Sequence, residues 1–316
     1  MTATGDSRRP TRALLIILAV TVLWGWTFVW MKQAITASSE VLGAQGMFIG
    51  IAVFLTVRFG LAALVMGAIP AVRRRVDANA WRGGWWIGLS LLSGFLLQMG
   101  GLIGTSPSVS AFLTSLYVLF TAIVIMIRDR RRPYPGLIVG GMLATFGAGF
   151  IDGPPQLSFG LAEWLSVACA LCFAVHIVLT DIWTRRVEPL AVAGTSFVVV
   201  AVGSAAVLVV AMANSHTVTW SALGGLFAAR GFVVPLMLSS LLATVLALSL
   251  MNMFQRELGP VRAAIVYALE PVWASIFACL VGLGQPTIWL AVGGGALLLG
   301  NILAEIIPAR RGDKPT

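Results

Sequence analysis

Glu270 is the residue of this sequence best suited to chemistry. It lies inside the apolar run Val261–Val281, and a carboxylate at that depth costs several kcal/mol unless it is protonated, paired or wet. It could therefore exchange protons or bind a cationic group. The structural alternative is a fixed carboxylate bonded to neighbouring helices, helped by the backbone gap that Pro271 opens. Tyr267 stands one turn away. On an earlier run Ser110, Thr114, Tyr117 and Thr121 recur at helical spacing, which predicts one shared face. A phenol buried in lipid would be orphaned, so Tyr117 and Tyr267 are expected to line a cavity. A third run carries Ser166, Cys169, Cys172, His176 and Thr180 along one stripe, with His176 either a hydrogen-bonded packing residue or a proton relay. Gln98, Asn252, Trp24, Thr27 and Phe28 are further polar or aromatic residues at depth.

The expected substrate-binding set is Trp24, Phe28, Gln98, Ser110, Thr114, Tyr117, His176, Tyr267 and Glu270, with Glu270 and His176 the candidates for proton coupling. Arg58 is read as a structural charge, an internal partner for Glu270 or for backbone carbonyls. Aromatic groups at Trp24, Phe28, Tyr117, Tyr267 and Trp273 lean toward aromatic or apolar solutes. This is chemistry of reversible binding. A membrane-embedded enzyme would need a nucleophile with its base or a metal cluster, and His176 and His216, the only histidines, fall near opposite faces. Cys169 and Cys172 resemble half a zinc site without a second pair, so no metal and no cofactor is expected.

The elements that must hold these residues follow from composition. With 59% hydrophobic and 10% charged residues and a mean hydropathy of +0.94, the chain is expected to span a membrane. Ten apolar runs approach the ~20 residues a helix needs to cross: Ala13–Met31, Met47–Ile69, Gly83–Ile103, Ser108–Ile127, Pro135–Ile151, Phe159–Thr180, Leu190–Met212, Gly231–Phe254, Val261–Val281 and Thr287–Ile307. The formal charge of +9 is no signal of a nucleic-acid partner. Taking the N-terminus as cytoplasmic, 18 of the 21 Lys and Arg fall in inner segments, leaving Lys32, Arg230 and Arg58. The expected location is the cell membrane (plasma or inner), multi-pass, with both termini cytoplasmic. Lys32, Glu163, Asp181 and Glu305, near run ends, are expected to snorkel to the interface.

The chain also repeats itself. Shifted by 153 residues, Pro107–Gly147 falls on Pro260–Gly300 with ten identities, among them Pro107 with Pro260, Leu116 with Leu269, Gly140-Gly141 with Gly293-Gly294 and Gly147 with Gly300. Five runs per copy is an odd number, so the second copy should enter from the opposite side. Charge agrees: Arg128 and Arg130–Arg132 have a counterpart, Val281–Gln285, with no basic residue. Two inverted five-helix repeats are the architecture of alternating access. The expected fold is an all-α membrane protein of ten transmembrane helices, divided into a tail 1–12, a first repeat 13–151, a second repeat 159–307 and a tail 308–316.

Trp24-Gly25 with Phe28 and Lys32, Leu97-Gln98 followed by Thr105-Ser106 and Ala111-Phe112-Leu113, and Leu269-Glu270-Pro271-Val272 with Gly293-Gly294 and Gly300 resemble the drug/metabolite transporter superfamily, EamA type. The resemblance extends from Ala13 to Ile307. It implies ten helices in inverted repeats, a central cavity lined by the first, third, fourth, sixth, eighth and ninth, and transport of small metabolites, often export of amino acids. Many relatives carry a Gly-Glu pair before the fifth and tenth helices. Here those places read Arg128-Asp129 and Gly284-Gln285, so no role is carried over for that glutamate. The expectation is a secondary active exporter of amino acids or similar amphipathic solutes and not an enzyme, the alternative being a passive channel or solute-sensing receptor. Its partners would be a small-molecule substrate, the lipid bilayer and, as a candidate, a second copy of the chain.

Overall fold

The computed structural model describes residues 8–130, 135–149 and 159–306, and among them every regular element is helical. In chain order these are α1 (Arg8–Leu42), a short 3-10 turn, α2 (Met47–Ala68), α3 (Pro70–Arg73), α4 (Ala78–Gly104), α5 (Pro107–Thr114), α6 (Tyr117–Arg128), α7 (Pro135–Gly149), α8 (Leu161–Thr184), α9 (Pro189–Ala213), α10 (Leu223–Ala228), α11 (Arg230–Leu238), a π-helical stretch (Ser239–Leu248), α12 (Ser249–Leu258), α13 (Pro260–Tyr267), α14 (Glu270–Leu280) and α15 (Ile288–Ile306). Among the described residues, eight helical segments are long and apolar enough to cross a membrane. In such runs only helices or closed barrels can satisfy every backbone amide internally. The outside is oily, with Leu64 71%, Leu161 77% and Leu280 73% exposed, which suits hydrocarbon. The chain is a multi-pass membrane protein. Arg131, Arg132 and Pro133, the tails before Arg8 and after Ile306, and the side chain of Glu305 lie outside the described residues.

Where the helices differ from expectation, a local cause is visible. The first runs on past Met31 to Leu42, because Lys32 finds partners inside the protein and the turn comes only at Gly43, whose φ of 76° is left-handed. The fourth and ninth expected helices are each broken. Ser115 (φ −63°, ψ −10°) and Ala268 (φ −59°, ψ −10°) tighten the chain into i to i+3 bonds, Leu116 N donating to Leu113 O and Leu269 N to Val266 O. In the second case Pro271 has no N–H to return to the Tyr267 carbonyl. Leu116 and Leu269 stand 153 residues apart, the register of the sequence repeat. The break therefore belongs to both copies.

Close crossings set the frame. On α4, a Cβ at Gly84 or Gly88 would strike Thr195 or Val199 of α9, and one at Gly101 the hydroxyl and backbone of Ser166 on α8. Only glycine lets these backbones approach so near. Helix α1 passes through the middle, touching both halves of the chain, and its Gly25 meets Trp273 of α14. Helices α7 and α15 pack on each other by a reciprocal contact. A Cβ at Gly147 would fall 2.5 Å from the Gly293 carbonyl oxygen, and one at Gly300 2.5 Å from that of Gly140. Both contacts map onto one another under the 153-residue shift.

Gly300→Val should therefore push α15 off α7, costing about 1–3 kcal/mol as overpacking does, whereas Gly295→Val, with nothing within 4 Å, should be tolerated. Thermal unfolding of the two detergent-solubilised variants, followed by tryptophan fluorescence, would show a lowered midpoint for the first alone.

Candidate functional site

The two breaks bring their residues together. Tyr117, which opens α6, donates its phenol hydrogen bond to Oε2 of Glu270, which opens α14, at 3.3 Å. The residues that pair across the repeat in sequence thus touch in space. Around them is a partly open cavity of about 60 Å3, measured as space for the centres of water-sized molecules. That is room for several waters or a small solute. Its walls are contributed by α1, α4, α5, α6, α8, the π-helical stretch, α12, α13 and α14, and by Arg58 of α2, a helix outside the expected lining.

Trp24, Phe28, Gln98, Thr114, Tyr117, His176, Tyr267 and Glu270 all line this cavity. Trp24 and Tyr267 pack ring against ring at 5.2 Å between centroids and 49° between planes. The Trp24 indole donates to the Ala243 carbonyl at 3.3 Å, and the Tyr267 hydroxyl to Oε1 of Gln255 at 3.2 Å. Gln255 in turn donates to the Ile177 carbonyl at 2.9 Å. Thr114 Oγ1 meets Cys169 Sγ at 3.3 Å. The Nδ1 atom of His176 lies 3.4 Å from the Ile87 carbonyl, while its Nε2 is buried with no protein partner. Apolar walls come from Leu91, Phe95, Phe173, Leu248 and Met251. The lining is amphipathic, with aromatic faces for an apolar group and a few convergent polar atoms to orient it.

Several expectations are corrected. Ser110 is absent from the lining. It faces Ser166 of α8, their oxygens 3.4 Å apart, because the break after Thr114 ends the face that spacing alone had continued. Thr121 is buried without a partner for its hydroxyl. Trp273 lies against Gly25 and stacks on Phe277 rather than lining the cavity. Arg58 pairs neither with Glu270 nor with a backbone carbonyl. Its Nε donates to Thr244 Oγ1 at 2.7 Å, and its guanidinium lies over Phe95 at 4.5 Å and Phe59 at 5.4 Å.

Lys32 does not reach for water: its ammonium donates to the carbonyls of Leu102, Ile103 and Thr105 at 2.6, 3.3 and 2.9 Å. It thereby caps α4, where unpaired carbonyls concentrate negative potential. Asp181 is held by Arg185 at 2.8 Å, and that hydrogen bond raises the arginine above its ordinary value. Arg185 also donates to the Arg256 carbonyl at 2.8 Å, and Arg256 to that of Thr184 at 2.9 Å. This reciprocal clasp joins the ends of α8 and α12 on the basic side of the cavity.

Gln255 and Asn301 were missed. Asn301, fully buried on α15, donates to the Ser115 carbonyl at 3.1 Å and to its hydroxyl at 3.2 Å, so it braces the break between α5 and α6. A buried amide in an apolar run was the available signal. Among the described residues no three His, Cys, Asp or Glu side chains gather as a metal site.

Residues 160–305 match the EamA-like transporter family. The second half of the chain thus resembles EamA-like transporters. The chain is 25% identical over 269 residues to an uncharacterized transporter of Archaeoglobus fulgidus, covering 83% of this chain and 75% of the relative. It shares its fold with a solved structure described as the crystal structure of a protein, at a TM-score of 0.58 and 18% identity, over 94% of this chain and 99% of that one.

Lys32→Met would leave the end of α4 without its charged donor, a loss of about 1.5–3 kcal/mol for hydrogen bonds of this kind. The expected result is a lower unfolding midpoint than that of Thr36→Ala, one turn further on, where only the exposed bond to the Lys32 carbonyl is lost.

Proposed function

We propose that this protein is an EamA-type secondary carrier that exports a small amphipathic metabolite, an amino acid or a similar solute, by alternating access. The carrying observation is the hydrogen bond between Tyr117 and Glu270. Two residues 153 apart, each opening the second half of a broken helix, meet beside a cavity that has aromatic walls and a carboxylate. In this reading residues 13–151 and 159–307 are inverted repeats of five helices each. Helices α7 (15 residues) and α15 (19 residues) supply the fifth and tenth crossings. At 1.5 Å per residue α7 spans about 22 Å, so the bilayer would thin locally or α7 would lean on α15.

The reciprocal contacts of Gly147 and Gly300 support a two-fold relation between the copies. The clasp of Arg185, Arg256 and Thr184 would close the cavity on the cytoplasmic side in this conformation. Exchange of shapes between the repeats would open it there and close it outside. Glu270, in the wall and bonded to a phenol, would hold a proton or the cationic end of a solute and couple one to the other.

Proteoliposomes test the reading. A carrier gives saturable flux and counterflow, whereas flux that neither saturates nor shows trans-stimulation would make the protein a channel. Glu270→Gln should retain counterflow but lose the acceleration produced by a pH gradient; an unchanged pH profile would remove the glutamate from coupling. For topology, cysteines placed at Arg74 and His216 in a cysteine-free background should label from opposite sides of the membrane. Labelling from one side would end the inverted arrangement.

A further inference from the structure

The cavity holds a second charged group that the Tyr117–Glu270 pair does not use. Arg58 is completely buried and lines the same space. Among the described residues no carboxylate lies within 4.0 Å of it, the ion pairs being Arg128–Asp129 and Arg185–Asp181. Its Nε is fixed by Thr244, but Nη1 is buried and meets no acceptor. An unpaired cation at mid-depth is among the most expensive things a membrane protein can keep. The faces of Phe95 and Phe59 recover part of that cost, as cation–π contacts do, yet a ring face offers no in-plane acceptor, and Nη1 stays unbonded.

The guanidinium is also held in place by design of the backbone. Thr244 donates to the Ser239 carbonyl five residues back at 3.0 Å, the spacing of the π-helical stretch. Its oxygen is left to accept from Arg58. Rare helical forms of this kind are frequent at functional sites.

We propose that Arg58 is the anion-binding residue of the cavity and that the solute carried bears a carboxylate. This rests on the transport reading above. A guanidinium matches a carboxylate with two parallel N–H···O bonds. A phosphate dianion would bring more charge than one arginine can offset in so apolar a space. Glu270 lies in another wall of the cavity, so a zwitterion with an apolar side chain would meet a cation with its carboxylate, an anion with its ammonium and aromatic rings with the remainder.

The test uses matched probes that differ in one group: phenylalanine, its amide, phenethylamine and 3-phenylpropionate, with the same four built on leucine. Thermal shifts of the purified full-length protein should be produced by the carboxylate-bearing members and not by the amides or amines. Arg58→Gln should weaken carboxylate binding on the order of 10- to 100-fold, as loss of a charged hydrogen-bonding partner does, with Arg58→Lys intermediate. Should Arg58→Gln fail to fold, Thr244→Val keeps the charge and frees its orientation; it should weaken carboxylates about tenfold. Amines or amides that bind as well as the parent acids, acids that bind Arg58→Gln as they bind the unaltered chain, or no binding by any of the eight would each overturn the inference. Proteoliposome flux separates the two claims: acids that bind without moving leave the Arg58 site standing and remove the transport reading, whereas flux of amines without binding of acids does the reverse.

Discussion

A polar group in the middle of a bilayer can bond only to protein, to trapped water or to cargo, and the fold of this chain is organised by that shortage. It makes the described elements helical. It turns Thr21, Thr27, Ser38, Thr56 and Ser204 back onto carbonyls of their own helices. It sends Lys32 to the end of α4 rather than outward, and Asn301 to the break at Ser115. Among the groups left over, Arg58 Nη1 and His176 Nε2 belong to the wall of one cavity and meet no protein acceptor or donor. In an oily interior, an unsatisfied polar atom that also borders a cavity marks where a ligand can bond.

The broken helices are the other half of the design. A continuous helix consumes all its amides and carbonyls and presents a smooth wall. Breaking one at Ser115–Leu116 and another at Ala268–Leu269 places helix starts at mid-depth, where Tyr117 and Glu270 project from the first residue of each new segment. Buried side chains, the Ser115 hydroxyl to the Phe112 carbonyl at 2.7 Å and Asn301 from α15, satisfy part of what the first break exposes. The site is thus built from interruptions of the scaffold.

Much of this was legible in the residues themselves. Polar side chains in apolar runs are few, so Glu270, Tyr267, Tyr117, His176 and Gln98 stand out, and the 153-residue register alone pairs Tyr117 with Glu270. Pro271 hinted at one break; Ser115–Leu116 carries no such mark and could be inferred only from its copy. Spacing gave the azimuth of Ser110 but not its neighbour, since a helix face does not name the helix opposite. Arg58 was legible as a buried charge, yet its partner Thr244 depends on a π-helical register that periodicity does not reveal. Lys32 was misplaced because hydropathy treats a lysine as the end of a run, while three carbonyls at the end of α4 allowed α1 to continue.

The bond between Tyr117 and Glu270 has an evolutionary reading as well. On a two-fold axis between identical chains, each residue faces its own twin: glutamate would confront glutamate, and tyrosine would confront tyrosine. Joining the copies into one polypeptide frees the two positions to diverge, so that a donor can stand opposite an acceptor. Fusion would then have supplied more than a fixed partner. It would have allowed the centre of the molecule to acquire polarity, and with it the capacity to hold a cargo whose two ends differ.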